Sequence, residues 1–260
     1  MKLTIITVCF NSAKTLADAI ESVQSQNYGP LEHIIIDGGS TDGSVSLIEQ
    51  LAIRPDSKIS RWLSEPDHGI YDAMNKGLSL ASGDVIGFLN SDDVYSSPQA
   101  LSELMGALQK NHVDCVFADL VYVDFLDTQK VLRYYNSGHF RPSRFRWGWM
   151  PAHPTFLAKR TLFDRAGIFS LDYKIAADYE LLIRMLWVER ASYVYLPKPL
   201  VRMRVGGVST SGMAHSLLLN KEIVTACRDN GIYTNLAMVL TKVPLKFLEL
   251  VRGRLSFKVR

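Results

Sequence analysis

Residues 1–90 alternate short apolar segments with helix-like segments, and this alternation restricts the chain to few folds. The apolar segments are Thr4–Val8, His33–Ile36, Ile59–Leu63 and Val85–Leu89. Val85–Leu89 is apolar throughout, which predicts a strand buried on both faces, as in parallel sheets. The segments between them have helical periodicity, most clearly over Leu16–Val23 and residues 70–80. We therefore predict an α/β fold with a Rossmann-like, mostly parallel central sheet flanked by helices.

The pattern is looser after residue 97. Apolar segments separated by Asp127-Thr128 predict a hairpin, and residues 136–155, rich in Arg, aromatic residues, Gly and Pro, predict a long loop. The remaining predicted elements are strands over Val113–Val123, Lys130–Tyr135, Ser192–Leu196 and Leu200–Val205, and helices over 159–166, 177–189 and 214–229. We divide the chain into residues 1–97, 98–212 and 213–260.

The amino-acid composition argues against several classes of function. The chain of 260 residues has 29 Lys and Arg against 26 Asp and Glu, a balance that argues against a nucleic-acid partner. Three cysteines without a CxxC pair indicate small buried residues in a reducing compartment. Met1 is followed directly by a strand-like segment without a signal-peptide pattern, and no apolar stretch is long enough to span a bilayer. These features predict a cytoplasmic protein.

The carboxyl-terminal residues 236–260 differ from the rest of the chain. Their charged residues are Lys242, Lys246, Glu249, Arg252, Arg254, Lys258 and Arg260. Apolar residues alternate with these charges, as in helices that lie in an anionic membrane surface. We expect a helical, basic tail that holds the protein peripherally at the inner face of the cell membrane; a core-packed helix, interrupted at Pro244, is the alternative.

Polar residues follow the predicted strands where a parallel sheet would bring them to one edge. They are Asn11 after the first strand, Asp37 after the second, and Asn90-Ser91-Asp92-Asp93 after the fourth. Adjacent carboxylates favour a Mg²⁺ or Mn²⁺ that also binds a phosphate, although a helix cap is the simpler alternative. Asp37 could accept from a uracil ring packed on Phe10, or could cap its own loop. No GxGxxG or P-loop sequence is present.

Ordered blocks of sequence resemble the family 2 glycosyltransferases of the bacterial cell-surface polysaccharide type. The blocks are Thr7–Ser12, Ile36–Ser44, Gly69–Gly77, Phe88–Asp93, His153–Phe156, Phe163–Phe169 and Ala177–Glu180. The resemblance implies a GT-A fold. It also implies inverting transfer of a sugar from a nucleotide-diphospho-sugar, with a UDP-sugar favoured. The acceptor would be a hydroxyl of a glycan or lipid-linked acceptor in polysaccharide or lipopolysaccharide synthesis.

The resemblance assigns roles residue by residue. Residues 1–97 become the donor-binding half, in which Asp37 matches the base-reading acid, Asp92 the ligand of Mn²⁺ or Mg²⁺, and Asn90 a ribose contact. Further donor contacts are expected at Thr7, Phe10, Asn11, Asn75, Lys76 and Ser91. Met74 stands where many relatives have an Arg near the diphosphate, so Lys76 or another cation would supply that charge.

Residues 98–212 become the acceptor-binding half. Asp178 matches the catalytic base, and a stabilising acid in the first turn of a helix is its alternative. Glu180 would point away from Asp178 on a helix and is excluded as a second base. Trp147, Trp149 and His153 are expected to contact the acceptor, with a structural role as the alternative for His153. Asp67 fits a donor contact and a helix cap equally well, and Gly206–Ser209 would close over the site.

Two other functions fit part of this pattern. A sugar nucleotidyltransferase also sets acids at strand ends, but it would normally have a Gly-rich basic loop after the first strand, where this chain has Phe10-Asn11-Ser12-Ala13. A sugar-nucleotide-binding protein that has lost catalysis would not need Asp92 or Asp178.

Overall fold

Four parallel strands form the amino-terminal half of the molecule. In the computed structural model, which describes residues 1–206 and 212–241, these strands are β1 (Leu3–Cys9), β2 (Leu31–Asp37), β3 (Ile59–Ser64) and β4 (Val85–Phe88). Their order in the sheet is β3-β2-β1-β4. β1 pairs Cys9 with Asp37 on one side and Ile6 with Phe88 on the other. The predicted polar residues after β1, β2 and β4 therefore lie along one edge.

Three helices connect and cover these strands: α1 (Leu16–Gln24), α2 (Ser44–Ala52) and α3 (Ile70–Leu80). The predicted apolar face of α1 is confirmed, because Leu16, Ala19, Ile20 and Val23 are all fully buried. Neither Asn11 nor Ser12 caps this helix, because Thr15 precedes it and no side chain accepts from its first N–H groups. Asn11 instead has a φ of 48° and belongs to the turn after β1.

The sheet continues through β5 (Asp93–Tyr95), β6 (Cys115–Val123), β7 (Val131–Tyr135), β8 (Leu157–Lys159) and β9 (Tyr193–Arg204). After β4 the order is β8-β6-β9-β5, and β7 pairs with β6 as the predicted hairpin. β6 and β9 are parallel, whereas β8 is antiparallel to β4 and β6. The remaining helices are α4 (Ala100–Lys110), α5 (Arg160–Ala166), α6 (Ala177–Ile183), α7 (Gly212–Asp229) and α8 (Leu236–Leu240). The predicted α/β class with a mostly parallel sheet is confirmed.

Three elements differ from the prediction. β5 and β8 contain three residues each, too few to show an alternating pattern in the sequence. The two strands predicted over 192–205 are one strand, β9, whose register against β6 shifts near Ala118 and Asp119. Irregular pairing of this kind accommodates Pro197 and Pro199 inside a strand.

The region 136–155, predicted as a loop, contains 3-10 helical turns at Pro142–Trp147 and His153–Thr155. The predicted helix over 177–189 is α6 followed by a π-helical turn over Arg184–Val188.

All three cysteines are free and buried, as predicted. Residues 242–260 of the predicted tail lie outside the described residues. Within the described ranges, every helix is too short or too polar to cross a bilayer.

A buried polar pair lies inside the parallel unit, between β1 and β2. Thr7 Oγ1 and His33 Nε2 are 2.9 Å apart, and both residues are completely buried. Burial lowers the pKa of the His33 imidazole from 6.5 to about 3, so this ring is neutral in the folded protein at neutral pH. Its second nitrogen, Nδ1, accepts or donates no hydrogen bond within the described part of the chain.

This pair predicts a specific pH dependence of stability. The unfolded chain takes up a proton on His33 as the pH falls through 6.5, whereas the folded chain does so only near pH 3. The stabilisation from a neutral His33 is therefore complete above 6.5 and lost as the pH falls toward 3. We expect the unfolding free energy to fall with pH in this window, with a contribution from His33 approaching about 1.4 kcal/mol per pH unit.

Urea unfolding at several pH values between 5 and 7 measures this slope, and His33→Gln should reduce it. Glu32, whose pKa is lowered to about 2, contributes only below its ordinary value of 4.5, outside the measured range of pH 5 to 7. Identical slopes for the wild type and His33→Gln would contradict the assignment.

Candidate active site

The loops after β1 and β2 are joined to each other at the sheet edge. Asn11 donates its backbone N–H to Ser40 Oγ at 2.7 Å and accepts from the Thr41 N–H at 3.0 Å. Ala13 donates to Asp42 Oδ2 at 2.9 Å. Phe10 stands at the rim with 62% of its surface exposed, which leaves its ring free to pack against a ligand.

Asp37 is completely buried and holds the loop that follows it. Its Oδ2 accepts from the N–H groups of Gly39 at 3.0 Å and Ser40 at 2.9 Å, and from Ser64 Oγ at 2.7 Å. Its Oδ1 accepts from Ser40 Oγ and from Cys9 Sγ. Burial alone would raise the pKa of Asp37, but the hydrogen bonds, led by Ser40, lower it below its ordinary value. Both oxygens are thus engaged, as expected for the loop-cap alternative.

Asp67 places a carboxylate next to the same loop. A methyl group at position 38 would lie 2.4 Å from Asp67 Oδ2 and 3.4 Å from the Phe10 ring, so Asp67 fills the space that glycine leaves at position 38. Asp67 Oδ1 accepts from the Gly69 N–H at 2.8 Å, ahead of α3. No described residue donates a hydrogen bond to Oδ2. Asp67 is therefore both a helix-start acid and a carboxylate with one free oxygen beside Phe10.

The polar residues that follow β4 differ in how deeply they are buried. Asn90 Oδ1 is buried, and no described donor reaches it. Burial raises the pKa of the Asp92 carboxyl, and the positive charge of Arg204 opposes this rise. Asp93 lies in β5 and is fully buried; burial, followed by the charge of Asp92, raises its pKa well above the ordinary value. The predicted helix cap by Asp93 is wrong, because the next helix begins at Ala100 and is preceded by Gln99.

Arg204, at the end of β9, holds the backbone of this junction. Only 3% of its surface is exposed. Its Nη1 donates to the Asp92 carbonyl at 2.9 Å, its Nε donates to the Phe125 carbonyl at 3.0 Å, and its Nη2 pairs with Asp18. Arg204 therefore fixes the backbone of Asp92 and brings a positive charge near two carboxyl groups.

Asp178 lies in the first turn of α6 and is partly exposed. Tyr71 Oη of α3 is 3.3 Å from Asp178 Oδ1 and also donates to the Ile175 carbonyl. Burial, followed by the negative charge of Asp178, raises the pKa of Tyr71 well above its ordinary value. Tyr71 therefore remains a phenol that can donate to Asp178.

His153 connects the Asp178 region to β4. Burial lowers the pKa of His153, and the negative charge of Asp178 opposes this effect. Its ring stacks on Phe88, with ring centroids 6.2 Å apart. Phe88 is the last residue of β4, two positions before Asn90, which follows the strand. His153 therefore links the Asp178 region to the end of β4, from which the chain continues to Asn90.

Several predicted donor contacts have other partners. Thr7 is buried against His33, inside the sheet. Asn75 uses both ends of its amide on the Phe169 backbone, at 2.9 Å each. Lys76 pairs with Glu65 at 2.9 Å and donates to the Pro66 carbonyl at 3.0 Å. Thr7, Asn75 and Lys76 thus hold neighbouring parts of the chain in this structure, and their donor contacts stay predictions.

Met74 is buried in the core, so a cation at this position would have to be desolvated. Ser91 donates to Ser12 Oγ at 2.9 Å and so ties the β4 junction to the loop after β1.

The Arg- and Trp-rich segment packs directly on α6. Tyr179 donates to the Phe145 carbonyl, and the two rings are 5.4 Å apart in an edge-to-face arrangement. Trp147 is 39% exposed and Trp149 is partly exposed. This segment is therefore anchored next to Asp178 while presenting aromatic surface. Glu180 pairs with Arg184 at 2.7 Å, in line with its exclusion as a second base.

The oxygen atoms at the β4 junction suit a hard divalent cation. The described residues hold no cluster of three His, Cys, Asp or Glu side chains that would form a complete metal cage. Mg²⁺ and similar ions are commonly held by one or two carboxylates together with substrate phosphates. Asp92, with the unpartnered Asn90 Oδ1 nearby, fits that arrangement, since the ligand would supply the remaining oxygens.

Two functional candidates, Tyr71 and Arg204, were missed by the sequence reasoning. Tyr71 lies within the Gly69–Gly77 block of the resemblance. No spacing in the sequence indicates its contact with Asp178, which is distant in the chain. Arg204 ends a strand without a nearby acidic residue in the sequence. Only the tertiary structure identifies their partners.

Comparison with known proteins gives the family. The model of glycosyl transferase family 2 matches residues 4–174. An uncharacterized glycosyltransferase of Mycobacterium tuberculosis is 34% identical over 190 residues, covering 70% of this chain and 68% of its own. A PGL/p-HBAD biosynthesis glycosyltransferase of Mycobacterium bovis is 29% identical over 181 residues, with the same coverage.

Solved structures of low sequence identity share the fold. S. aureus TarS 1–349 in complex with UDP-GlcNAc matches with a TM-score of 0.65 and 18% identity, covering all of this chain and 76% of that one. Mannosyltransferase PcManGT from Pyrobaculum calidifontis in complex with GDP-Man and Mn²⁺ matches with a TM-score of 0.62 and 18% identity, covering 94% of this chain and 80% of that one. The predicted GT-A fold is confirmed. Together with the family match over the sheet edge and its loops, this establishes that the chain is a glycosyltransferase and belongs to glycosyltransferase family 2.

Proposed function

We propose that this glycosyltransferase moves a sugar with inversion from a nucleotide-diphospho-sugar to a hydroxyl of a glycan or lipid-linked acceptor in cell-surface polysaccharide synthesis. The observation that carries the proposal is the contact of Asp178 with Tyr71, together with its charge effect on His153, whose ring stacks on Phe88 two residues before Asn90. We infer that this partly exposed carboxylate and the Asp92 junction contact the same pair of substrates. A proton acceptor and a diphosphate site on one cleft are what inverting transfer requires.

In the proposed reaction, the acceptor oxygen attacks C1 of the sugar while the bond from C1 to the diphosphate oxygen breaks. Asp178 takes the proton from the acceptor hydroxyl, and Tyr71 orients its carboxylate. The electron pair of the broken bond leaves with the nucleoside diphosphate. A divalent ion, Mn²⁺ or Mg²⁺, would stabilise that charge, and Asp92 is the residue that would hold it. Trp147, Trp149 and His153 form the proposed acceptor wall.

For the donor we favour a UDP-sugar, and we propose Asp67 as the acid that reads the base. Asp37 has both oxygens occupied, whereas Asp67 offers one free oxygen beside Gly38 and Phe10. The imide of uracil presents a single N–H, which one oxygen satisfies. Guanine presents two adjacent donors, which would require both oxygens of a carboxylate. The UDP-GlcNAc complex of TarS is in line with this choice.

The proposed attachment to the inner membrane face rests on composition alone. Residues 236–260 are basic and apolar, and α8 (Leu236–Leu240) is the described part of this segment. Contact with anionic lipid would bring the enzyme to a lipid-linked acceptor.

Replacing Asp178 tests the proposed base. Asp178→Asn removes proton acceptance while keeping size and shape, so we expect kcat to fall by about 10² to 10⁴ with unchanged donor affinity. Initial rates with an identified donor and acceptor provide the measurement, and the exposed Asp172→Asn is the matched control. Full activity of Asp178→Asn would exclude this residue as the base.

Replacing Asp67 tests base recognition. In Asp67→Asn the amide oxygen can still accept from the Gly69 N–H, while the amino group faces the uracil N–H and cannot accept from it. We expect the affinity for UDP to fall by about 10- to 100-fold, the cost of losing a hydrogen bond to a charged group. Calorimetry should also show that N3-methyl-UDP binds both proteins equally weakly. Unchanged UDP affinity would refute the assignment.

Thermal shift with UDP-, GDP- and dTDP-sugars, with and without Mn²⁺, tests the donor and the metal together. A donor bound through a cation should raise the melting temperature in a metal-dependent way, and Asp92→Asn should abolish the metal-dependent part. Equal stabilisation in the presence of a chelator would count against the role of Asp92.

A further inference from the structure

Helix α7 lies beyond the region matched by the family, and one of its carboxylates holds the backbone just ahead of Asp178. Glu222 Oε1 accepts from the Lys174 N–H at 3.0 Å. Glu222 Oε2 accepts from the N–H groups of Ile175 and Ala176, at 2.9 Å each. Three consecutive backbone donors therefore converge on a single side chain.

The same segment is held on its other side by α3. Tyr71 donates to the Ile175 carbonyl and lies 3.3 Å from Asp178 Oδ1. Residues 174–178 are thus held between a carboxylate from α7 and a phenol from α3. Asp178 follows the last of the three amides by two positions, within the same turn of backbone.

We propose that Glu222 is a positioning residue for Asp178, an inference that rests on the proposed role of Asp178 as the base. Hydrogen bonds to an ionised acceptor are shorter and stronger than neutral ones, so three of them define the path of the segment closely. Displacement of a catalytic group by about 1 Å can cost 10²-fold in rate. Glu222 acts through the backbone of residues 174–176.

The other contacts of α7 allow this role to be separated from simple helix packing. Asp229 Oδ2 accepts from Tyr173 Oη at 2.7 Å, and Cys227 Sγ lies 3.7 Å from Tyr179 Oη. These contacts attach α7 to neighbouring side chains but leave the amides of residues 174–176 untouched. Asp229→Asn is therefore a matched control, since it removes the same charge from the same helix and retains an acceptor for Tyr173.

The experiment compares Glu222→Ala, Glu222→Gln and Asp229→Asn in the full-length enzyme. We expect kcat to fall about 10- to 100-fold in Glu222→Ala and by an intermediate factor in Glu222→Gln, which keeps one acceptor oxygen. The donor KM should stay within about twofold, because the residues proposed to hold the donor, Phe10, Asp67 and Asp92, lie outside the segment that Glu222 holds. Asp229→Asn should retain wild-type kcat. Glu222→Gln also provides the kinetic test if Glu222→Ala folds poorly.

Hydrogen exchange supplies a readout that does not depend on activity. Amides 174–176 should lose protection in Glu222→Ala, whereas protection in β1 and β2 should remain. Wild-type kcat in both Glu222 variants, with Asp178→Asn inactive, would overturn the positioning role and leave the proposed base intact. Full activity of Asp178→Asn would overturn both. A parallel rise in donor KM and fall in kcat would indicate a general structural role and also overturn the proposal.

Discussion

The position of β1 between two parallel neighbours is the constraint on which the rest of the structure depends. Because β1 pairs in parallel with both β2 and β4, the three strands end at one edge, and the loops that follow them must meet there. Asn11, Asp37 and Asn90 reach that edge only through this pairing. A slip of one residue in either register would turn the polar ends into the core and the apolar residues toward solvent. The pairing of the strands thus determines where the site lies, whatever the chemistry of its side chains.

Differences in burial and in hydrogen-bond donors give chemically similar acids different roles. Asp37 is enclosed and surrounded by donors, so it acts as an anchor for the loop that it precedes. Asp67 has one oxygen held and one free, which suits it to contact a ligand. Asp93 is buried without donors, which favours its neutral form, whereas the neighbouring Asp92 is partly exposed. The Arg204 guanidinium contacts the Asp92 backbone and compensates part of the negative charge of this carboxyl pair. A bound diphosphate would increase that negative charge.

The second half of the chain contributes by placing Asp178. This carboxylate contacts Tyr71 of the first half and is followed by Tyr179, which anchors the Trp-rich turn through Phe145. Asn75 adds a link between the halves by holding the Phe169 backbone with both ends of its amide. The proposed base and the proposed acceptor wall are therefore connected to the first half of the chain through short polar contacts. The proposed effect of Glu222 on Asp178 adds a further connection, through the backbone N–H groups of residues 174–176.

The sequence alone determined the strand and helix order of the first half, because full apolarity in Val85–Phe88 and helical spacing in Leu16–Val23 are local properties that follow directly from burial. It also identified the polar residues at the strand ends, together with Asp178. It failed at β5 and β8, whose three residues carry no period, and at the single long β9. Only the tertiary structure decided which acid has a free oxygen, since that depends on donors contributed by Ser64 and by the start of α3. The partners of Tyr71, Arg204 and Glu222 are likewise far away in the chain, so their roles come from packing and not from spacing.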